Sequence, residues 1–277
     1  MSVGEAIRQG FHYAITCRYL WLFGFFAGVA SGGSSGGGAG GGAGGGQDVG
    51  GLSTAEFAPI LVAIALAVAA FVFMRFLSEG ALVEGVVRAR EGQTMTVREG
   101  FRAGRAHWGV LFRVWLLYVA ATVGSVILLA APCVLAVQTL GPLAGVALAI
   151  PVVLIGLPWL ITLHLVQAFA SRAAVLENRH ALDAIRKARL FLHGRLMHGL
   201  KLLLATWLGT LLIGLAGAIV VVPATLLLLA LTRVLGILPT VVLGCLVLLP
   251  IVFILTAMLG TLRSSIWTIG YVTQVEF

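Results

Sequence analysis

Charged side chains are scarce in this chain. They make up 10% of its 277 residues, whereas soluble domains carry about 25%. Hydrophobic residues make up 60%, and the mean hydropathy is +1.08. A water-soluble fold of this size cannot hide so much apolar surface, and about 20 apolar residues are enough to cross a bilayer. The composition therefore predicts an integral membrane protein, and its long apolar runs predict an all-α helical bundle.

Cysteines and catalytic motifs are also few. The three cysteines, Cys17, Cys133 and Cys245, lie far apart, which excludes a CxxC metal site and a disulfide framework. His193 and His198 are five residues apart, the wrong spacing for one helical face, and the chain has no GxSxG, HExxH or Walker pattern. We therefore expect a protein without catalytic activity, cofactor or metal.

Basic residues outnumber acidic ones, 18 Lys and Arg against 10 Asp and Glu, which gives a net charge of +8. In a soluble protein this excess would suggest nucleic acid. Here the basic residues cluster beside apolar runs, in segments 88–108 and 171–201, so we expect no nucleic-acid partner. Such clusters set orientation in the membrane, and the cluster-bearing side is the cytoplasm. The phospholipid bilayer, with its anionic lipids, is the expected partner.

The whole chain, residues 1–277, is predicted to form one transmembrane domain of six spans in the bacterial cytoplasmic membrane. Both termini are then cytoplasmic, and of the 18 basic residues only Arg233 lies on the outer side. Residues 31–56 form a Gly-rich flexible loop outside the membrane. The predicted spans cover about 11–30, 57–74, 109–133, 143–168, 202–222 and 238–262.

The first span is open to other interpretations. Its strictly apolar part, residues 19–30, is short and is followed by small residues. It therefore also matches a signal segment or a re-entrant helix. Extending it back to Phe11 gives 20 residues, and we favour this true span.

Three short segments share a pattern of an acid, a small residue, an apolar residue, an arginine, any residue and a small residue. The pattern occurs at 5–10, 99–104 and 183–188, each just before an odd-numbered span. It predicts three copies of one unit, each beginning with an interfacial helix. The arginines of this helix face lipid headgroups, and its apolar face points inward. The alternative is chance similarity in a chain so rich in Ala and Gly. The candidate headgroup ligands are Arg8, Arg102, Arg105, Arg186, Lys187 and Arg189.

Two of these segments begin with a predicted capping box, in which two side chains satisfy backbone donors at a helix start. The boxes are Ser2 with Glu5 and Thr96 with Glu99, whereas the third segment has His180 at the capping position.

His164 and Gln167 are the candidate intramembrane polar residues. An ionisable group inside a span points to a proton relay or substrate contact, but both side chains also suit hydrogen bonding between packed helices. Seven of the eight prolines lie in or beside spans three to six. Because broken helices are found in transporters as well as in ordinary kinked bundles, both interpretations stay open.

Three stretches carry a family resemblance: Leu20 to Gly28 followed by the Gly-rich loop, Ala174 to Glu177 leading into Ala181 to Arg186, and Ser265 to Tyr271. They resemble a family of six-span bacterial and archaeal membrane proteins that is similar to the membrane domain of glycerophosphoryl diester phosphodiesterases. The resemblance covers the whole chain, implies a lipid-related role and transfers no catalytic or binding residue.

The sequence thus favours a non-catalytic structural or regulatory membrane protein that contacts anionic lipids, or the partner subunit of another membrane protein. The alternative is a transporter of a lipid or small amphiphile. A transporter needs a polar cavity near the midplane of the membrane, whereas a structural protein has a core filled with side chains.

Overall fold

The computed structural model describes residues 8, 10–12, 14, 16–17, 19–32 and 54–275. The capping box at Ser2 and Glu5 and most of the Gly-rich loop lie outside these residues. The described part contains no strand, which confirms the predicted all-α class. Besides the helical residues before Cys17, it has seven helices with defined bounds. The helices are α1 (Leu20–Gly32), α2 (Thr54–Arg90), α3 (Val97–Leu140), α4 (Pro142–Leu176), α5 (Ala181–Leu192), α6 (Leu196–Leu235) and α7 (Ile237–Val275).

Five of the described helices, α2, α3, α4, α6 and α7, are long and apolar enough to cross a membrane. They contain 35 to 44 residues and so extend about 52–66 Å, well beyond the roughly 30 Å hydrocarbon core. In the most apolar window of each helix, no more than 17% of the residues are buried by the protein. The chain is therefore a membrane-embedded helical protein whose most apolar windows are left largely uncovered by the other described residues.

Helix α1 is shorter than the predicted 20-residue span. The chain is not helical at Cys17, and the helix begins at Leu20, whose N–H donates to the Cys17 carbonyl at 2.9 Å. The indole Nε1–H of Trp21 donates to the Ala14 carbonyl at 2.7 Å, so a side chain satisfies a carbonyl beside the break. With 13 residues α1 is about 20 Å long, less than the hydrocarbon core. The sixth span therefore stays a prediction.

The turns between α3 and α4 and between α6 and α7 are each a single glycine. Span three was expected to end near residue 133, but Pro132 lies inside α3, which continues to Leu140. The chain reverses at Gly141, where φ is +91°, and Pro142 takes the first helical position of α4. Gly236, with φ +82°, has the same place between α6 and α7. A positive φ, rather than proline, therefore ends each helix.

Side-chain packing is concentrated at the C-terminal end of three long helices. In α2, residues 61–70 are all exposed, whereas Phe76, Leu77 and Leu82 are buried. Helix α4 is buried from Ala168 to Val175, and α7 from Gly260 to Tyr271 apart from Arg263. These are the ends that carry or adjoin basic residues. The packed core of each helix therefore lies beside the predicted cytoplasmic surface.

The helices group into two compact units, and the first comprises residues up to 108 together with 205–272. Its core cluster combines the chain before α1, α1 itself, α2, Met95 and the end of α7. The buried members are Cys17, Leu20, Phe23, Leu77, Ala81, Leu82, Val86, Met95 and Ile269. Gly24 and Gly28 of α1 lie against the backbone of α7 at Ala257 and Thr256. The GxxxG spacing of α1 thus allows close helix packing.

The second unit, residues 109–204, contains the α3–α4 hairpin and α5. Gly145 and Gly156 of α4 lie against Val137 and Leu129 of α3, so small residues on one helix receive branched side chains of the other. Helix α5 buries its alanine-rich face against α4. The unit is thus a helical hairpin closed at its basic end by a short third helix.

Candidate lipid-contacting site

The second of the three sequence segments forms the first turns of α3. The backbone N–H of Thr96 donates to Oε2 of Glu99 at 2.8 Å, and the N–H of Glu99 donates to Oγ1 of Thr96 at 3.4 Å. The predicted capping box is therefore confirmed. The bond from the Thr96 N–H holds the pKa of the exposed Glu99 carboxyl below its ordinary value of 4.5.

This segment is not the separate short helix that we expected, because α3 continues unbroken from Val97 into its apolar part. The chain contains no glycine with positive φ or proline at the junction, so nothing ends the helix there. The third segment is a separate helix, α5, which ends at Leu192 with His193 as its C-cap and is followed by Gly194 at φ +85°. Its N-cap residue His180 makes no capping hydrogen bond from its side chain, in line with the departure seen in the sequence.

The three segments have the same burial pattern at two matching positions. The final small residue of each is buried: Gly10, Gly104 and Ala188. The arginine two residues earlier is exposed in each: Arg8, Arg102 and Arg186. Each copy therefore turns a small residue to the protein and an arginine to the surroundings.

Each buried small residue also packs on a long helix. A Cβ on Gly10 would lie 3.0 Å from side-chain carbons of Leu262 and Ile266 in α7, and Gly104 lies against the Leu77 carbonyl of α2. Ala188 belongs to the face of α5 that packs on α4. The second and third segments thus pack on the long helix that precedes them. The last helix, α7, takes this role for the first segment.

The other predicted headgroup ligands differ in their surroundings. Arg105 and Arg189 are exposed, whereas Lys187 is half-buried and donates to both carboxylate oxygens of Glu177. Glu177 also accepts from Nε of Arg179 at 2.7 Å. Glu177 therefore partly neutralises the turn between α4 and α5 and leaves the exposed charge of α5 on its arginines.

Arg172 shows that the basic segment 171–201 is not uniformly exposed. Its side chain is buried, with 7% of the residue exposed, and it donates to the Ala168 carbonyl at 3.0 Å and to Oγ of Ser171 at 2.8 Å. These bonds stay within one turn of α4. Arg172 therefore belongs to the packed end of that helix rather than to its lipid-facing surface.

His164 and Gln167 are both half-buried on α4. The His164 ring lies edge-on to the Tyr118 ring of α3, with 6.5 Å between centroids. Nearby, Nε1–H of Trp159 donates to Oγ of Ser125 at 3.0 Å across the same hairpin. Sequence reasoning missed Tyr118 and Ser125, because the register of the two helices depends on the turn at Gly141. The polar contacts of this part of α4 thus connect it to α3.

The described residues offer little for a polar ligand or a metal. An apolar groove of about 450 Å³ follows one face of α7, lined by Val241, Val242, Cys245, Leu246, Leu249 and Pro250. In the described part of the chain, no three His, Cys, Asp or Glu side chains come together as a metal site would require. No known family model, curated protein or solved structure matches the chain.

Proposed function

We propose that this chain is a non-catalytic structural or regulatory protein, or a partner subunit, of the bacterial cytoplasmic membrane, and that its repeated segments bind anionic lipid headgroups. In this proposal the three segments are copies of one unit, both termini are cytoplasmic, and Arg8, Arg102 and Arg186 have equivalent roles. The resemblance to the membrane domain of glycerophosphoryl diester phosphodiesterases agrees with a lipid-related role.

One observation carries the proposal: three segments far apart in sequence bury the same small position and expose the same arginine. Packing alone requires the small residue, because the neighbouring helix leaves no room for a larger one at Gly104. It does not require an arginine two residues earlier, where the side chain is exposed. Arginine suits this place because its guanidinium binds phosphate oxygens through paired hydrogen bonds.

Position along the helices supports the same role. Arg102 precedes the apolar part of α3, and α5 connects two helices that are long enough to cross the membrane. Exposed arginines there lie close to the headgroup layer if these helices span the bilayer. Each basic residue near an anionic surface contributes about 1 kcal/mol to binding, which corresponds to about a fivefold change in affinity.

Native mass spectrometry of the protein in nanodiscs of phosphatidylcholine with increasing phosphatidylglycerol tests the proposal. We expect bound phosphatidylglycerol to be enriched over the bulk fraction. We expect Arg102→Gln to lower the affinity for phosphatidylglycerol about fivefold. Arg233→Gln is the matched control, since Arg233 is also exposed but lies at the other end of a long helix, where we expect no loss. Equal loss in both variants, or loss in neither, would overturn the proposal.

The transporter alternative predicts a different composition of the purified protein. Extraction of the chain with its own membrane into native nanodiscs, followed by mass spectrometry, distinguishes the two. A stoichiometric partner protein supports the subunit role. A tightly held metabolite, lost in His164→Ala without a change in thermal midpoint, supports transport instead.

A further inference from the structure

Helix α5 has one face committed to the protein. Ala181, Ala184, Ala188 and Leu192 are buried and follow one another at intervals of three or four residues, so they form a single stripe along the helix. Three of the four are alanines, which bring the axis of α5 close to α4. Leu192 is the one large side chain among these four, so the buried stripe consists mainly of small residues.

Two of the five large apolar side chains of α5 lie on the opposite face. Leu182 and Leu190 are each 70% exposed, although they are the residues that a soluble helix would bury. They lie eight residues apart on the same side of the helix as Arg186 and Arg189, which are also exposed. We expected the apolar face to point inward, and the structure has two leucines facing outward with the arginines.

Chain connections hold this exposed face close to the membrane. Four residues separate α5 from α4, and three separate it from α6. The uncharged stretch of α4 ends at Ser171, five residues before the helix ends, and that of α6 begins at Leu202, six residues after the helix starts. These helix ends add about 8–9 Å beyond each uncharged stretch, which is close to the thickness of one headgroup layer.

We propose that the outer face of α5 is a membrane-insertion surface. Leu182 and Leu190 enter the boundary between headgroups and acyl chains of the leaflet in which α4 and α6 end. Arg186 and Arg189 bind the phosphates above them. The occupant is this anionic leaflet rather than another protein, because leucines alternating with arginines match an apolar layer bordered by negative charge. Asp183 lies in the first turn of α5, where the helix dipole stabilises an acid.

This inference rests on the proposed function for the lipid contact of Arg186. It adds insertion of the two leucines, which headgroup binding alone does not require. The neighbouring cation Lys187 is held by Glu177, and Lys187 therefore stays at the edge of the surface. Insertion would place α5 in the plane of the membrane between two spans.

Depth measurements on spin labels test the insertion in the full-length chain. Cys133 and Cys245 are replaced by alanine, and Cys17 stays because it is buried. Single cysteines are introduced by Leu182→Cys, Leu190→Cys and, as a control in the exposed loop before α3, Gln93→Cys. The labelled proteins are reconstituted in vesicles of phosphatidylcholine that contain phosphatidylglycerol as the anionic lipid.

Labels at 182 and 190 are expected to collide more often with oxygen, which concentrates in lipid, than with a water-soluble nickel complex. The label at 93 should show the reverse. Nickel accessibility at 182 and 190 equal to that at 93 would overturn the insertion. Protection from both reagents would also overturn it, because the face would then be covered by protein, such as a second copy of the chain.

Unlabelled Leu182→Ser/Leu190→Ser protein provides a second measurement that does not depend on cysteine chemistry. In native mass spectrometry this variant should bind phosphatidylglycerol several-fold more weakly than the parent. The helix no longer holds Arg186 at the phosphate plane. Unchanged affinity in this variant counts against the insertion. Inserted labels without phosphatidylglycerol enrichment, in contrast, would leave the insertion standing and remove the proposed function.

Discussion

Gly260 of α7 lies directly against Gly24 of α1, and a Cβ on Gly260 would overlap the Gly24 carbonyl oxygen. Thr261, the next residue of α7, is fully buried, and its hydroxyl donates to the Ala257 carbonyl at 2.8 Å, so it needs no partner on α1. The two helices can thus approach backbone to backbone. This contact ties the short α1 to a helix near the end of the chain.

Gly260→Ala should destabilise the protein by about 1–3 kcal/mol, because the new methyl group meets backbone that cannot move without shifting a helix. Gly214→Ala in α6 is the matched control, since a Cβ there meets nothing within 4 Å and alanine has the higher helix propensity. Thermal unfolding in nanodiscs measures both. Equal midpoints in the two variants would show that α1 and α7 separate at little cost.

Helix α3 begins with a capping side chain and helix α5 does not, so a cap can be removed from α3 and added to α5. Thr96→Ala removes the capping bond at the start of α3 and should lower stability by about 1 kcal/mol. His180→Thr places a capping residue three positions before Asp183 at the start of α5, and it should raise stability by a similar amount. Denaturation midpoints of both variants against the parent check the pair. A loss in His180→Thr would mean that His180 stabilises this turn in another way.

The same capping box makes stability depend on pH. The Thr96 N–H lowers the pKa of Glu99 below its ordinary value of 4.5. The stabilisation is therefore complete above pH 4.5 and is lost as the pH falls through the lower, folded-state pKa. Glu99→Gln should be less stable than the parent at pH 7, and the difference should shrink below pH 4. A difference that stays constant down to pH 3 would contradict the role of the carboxylate.

Composition and local spacing were enough to predict the helical membrane class and the capping box at Thr96. Each depends on residues near one another in sequence or on the average polarity of the chain. The outward position of Leu182 and Leu190 could be predicted only by knowing which face of α5 packs on α4. The alanines of the inward face were the available signal. Because alanines also occur on exposed helix faces, they were not enough to identify the packed face.

The contact between Trp159 and Ser125 provides a test of packing in the α3–α4 hairpin. The Trp159 indole donates to Ser125 across the two helices of this hairpin. In a cycle of Trp159→Phe, Ser125→Ala and the double variant, we expect a coupling of about 0.6 kcal/mol. The Ser125 hydroxyl also donates to the Ala121 carbonyl at 2.7 Å, so Ser125→Ala alone includes a second loss. A coupling near zero would mean that the hairpin is held by its apolar contacts.

Glu177 controls how much positive charge the turn before α5 presents. Glu177→Gln and Lys187→Gln both break the same partly exposed ion pair, so each should cost at most about 1 kcal/mol of stability. Their effects on lipid binding should differ. Glu177→Gln frees two cations, Lys187 and Arg179, and removes an anion, so it should raise the affinity for phosphatidylglycerol. Lys187→Gln should leave the affinity unchanged or lower it.

Native mass spectrometry at low and high salt measures both variants. At 0.5 M salt the difference between them should shrink, because screening weakens the attraction of exposed charges to the lipid surface. A change in the same direction in both variants would indicate that the ion pair acts by holding α5 in place. A rise in Glu177→Gln without a rise in Lys187→Gln would instead show that the charge of the turn acts directly on the lipid surface. The electrostatic contribution of the turn would then be separated from its contribution to the fold.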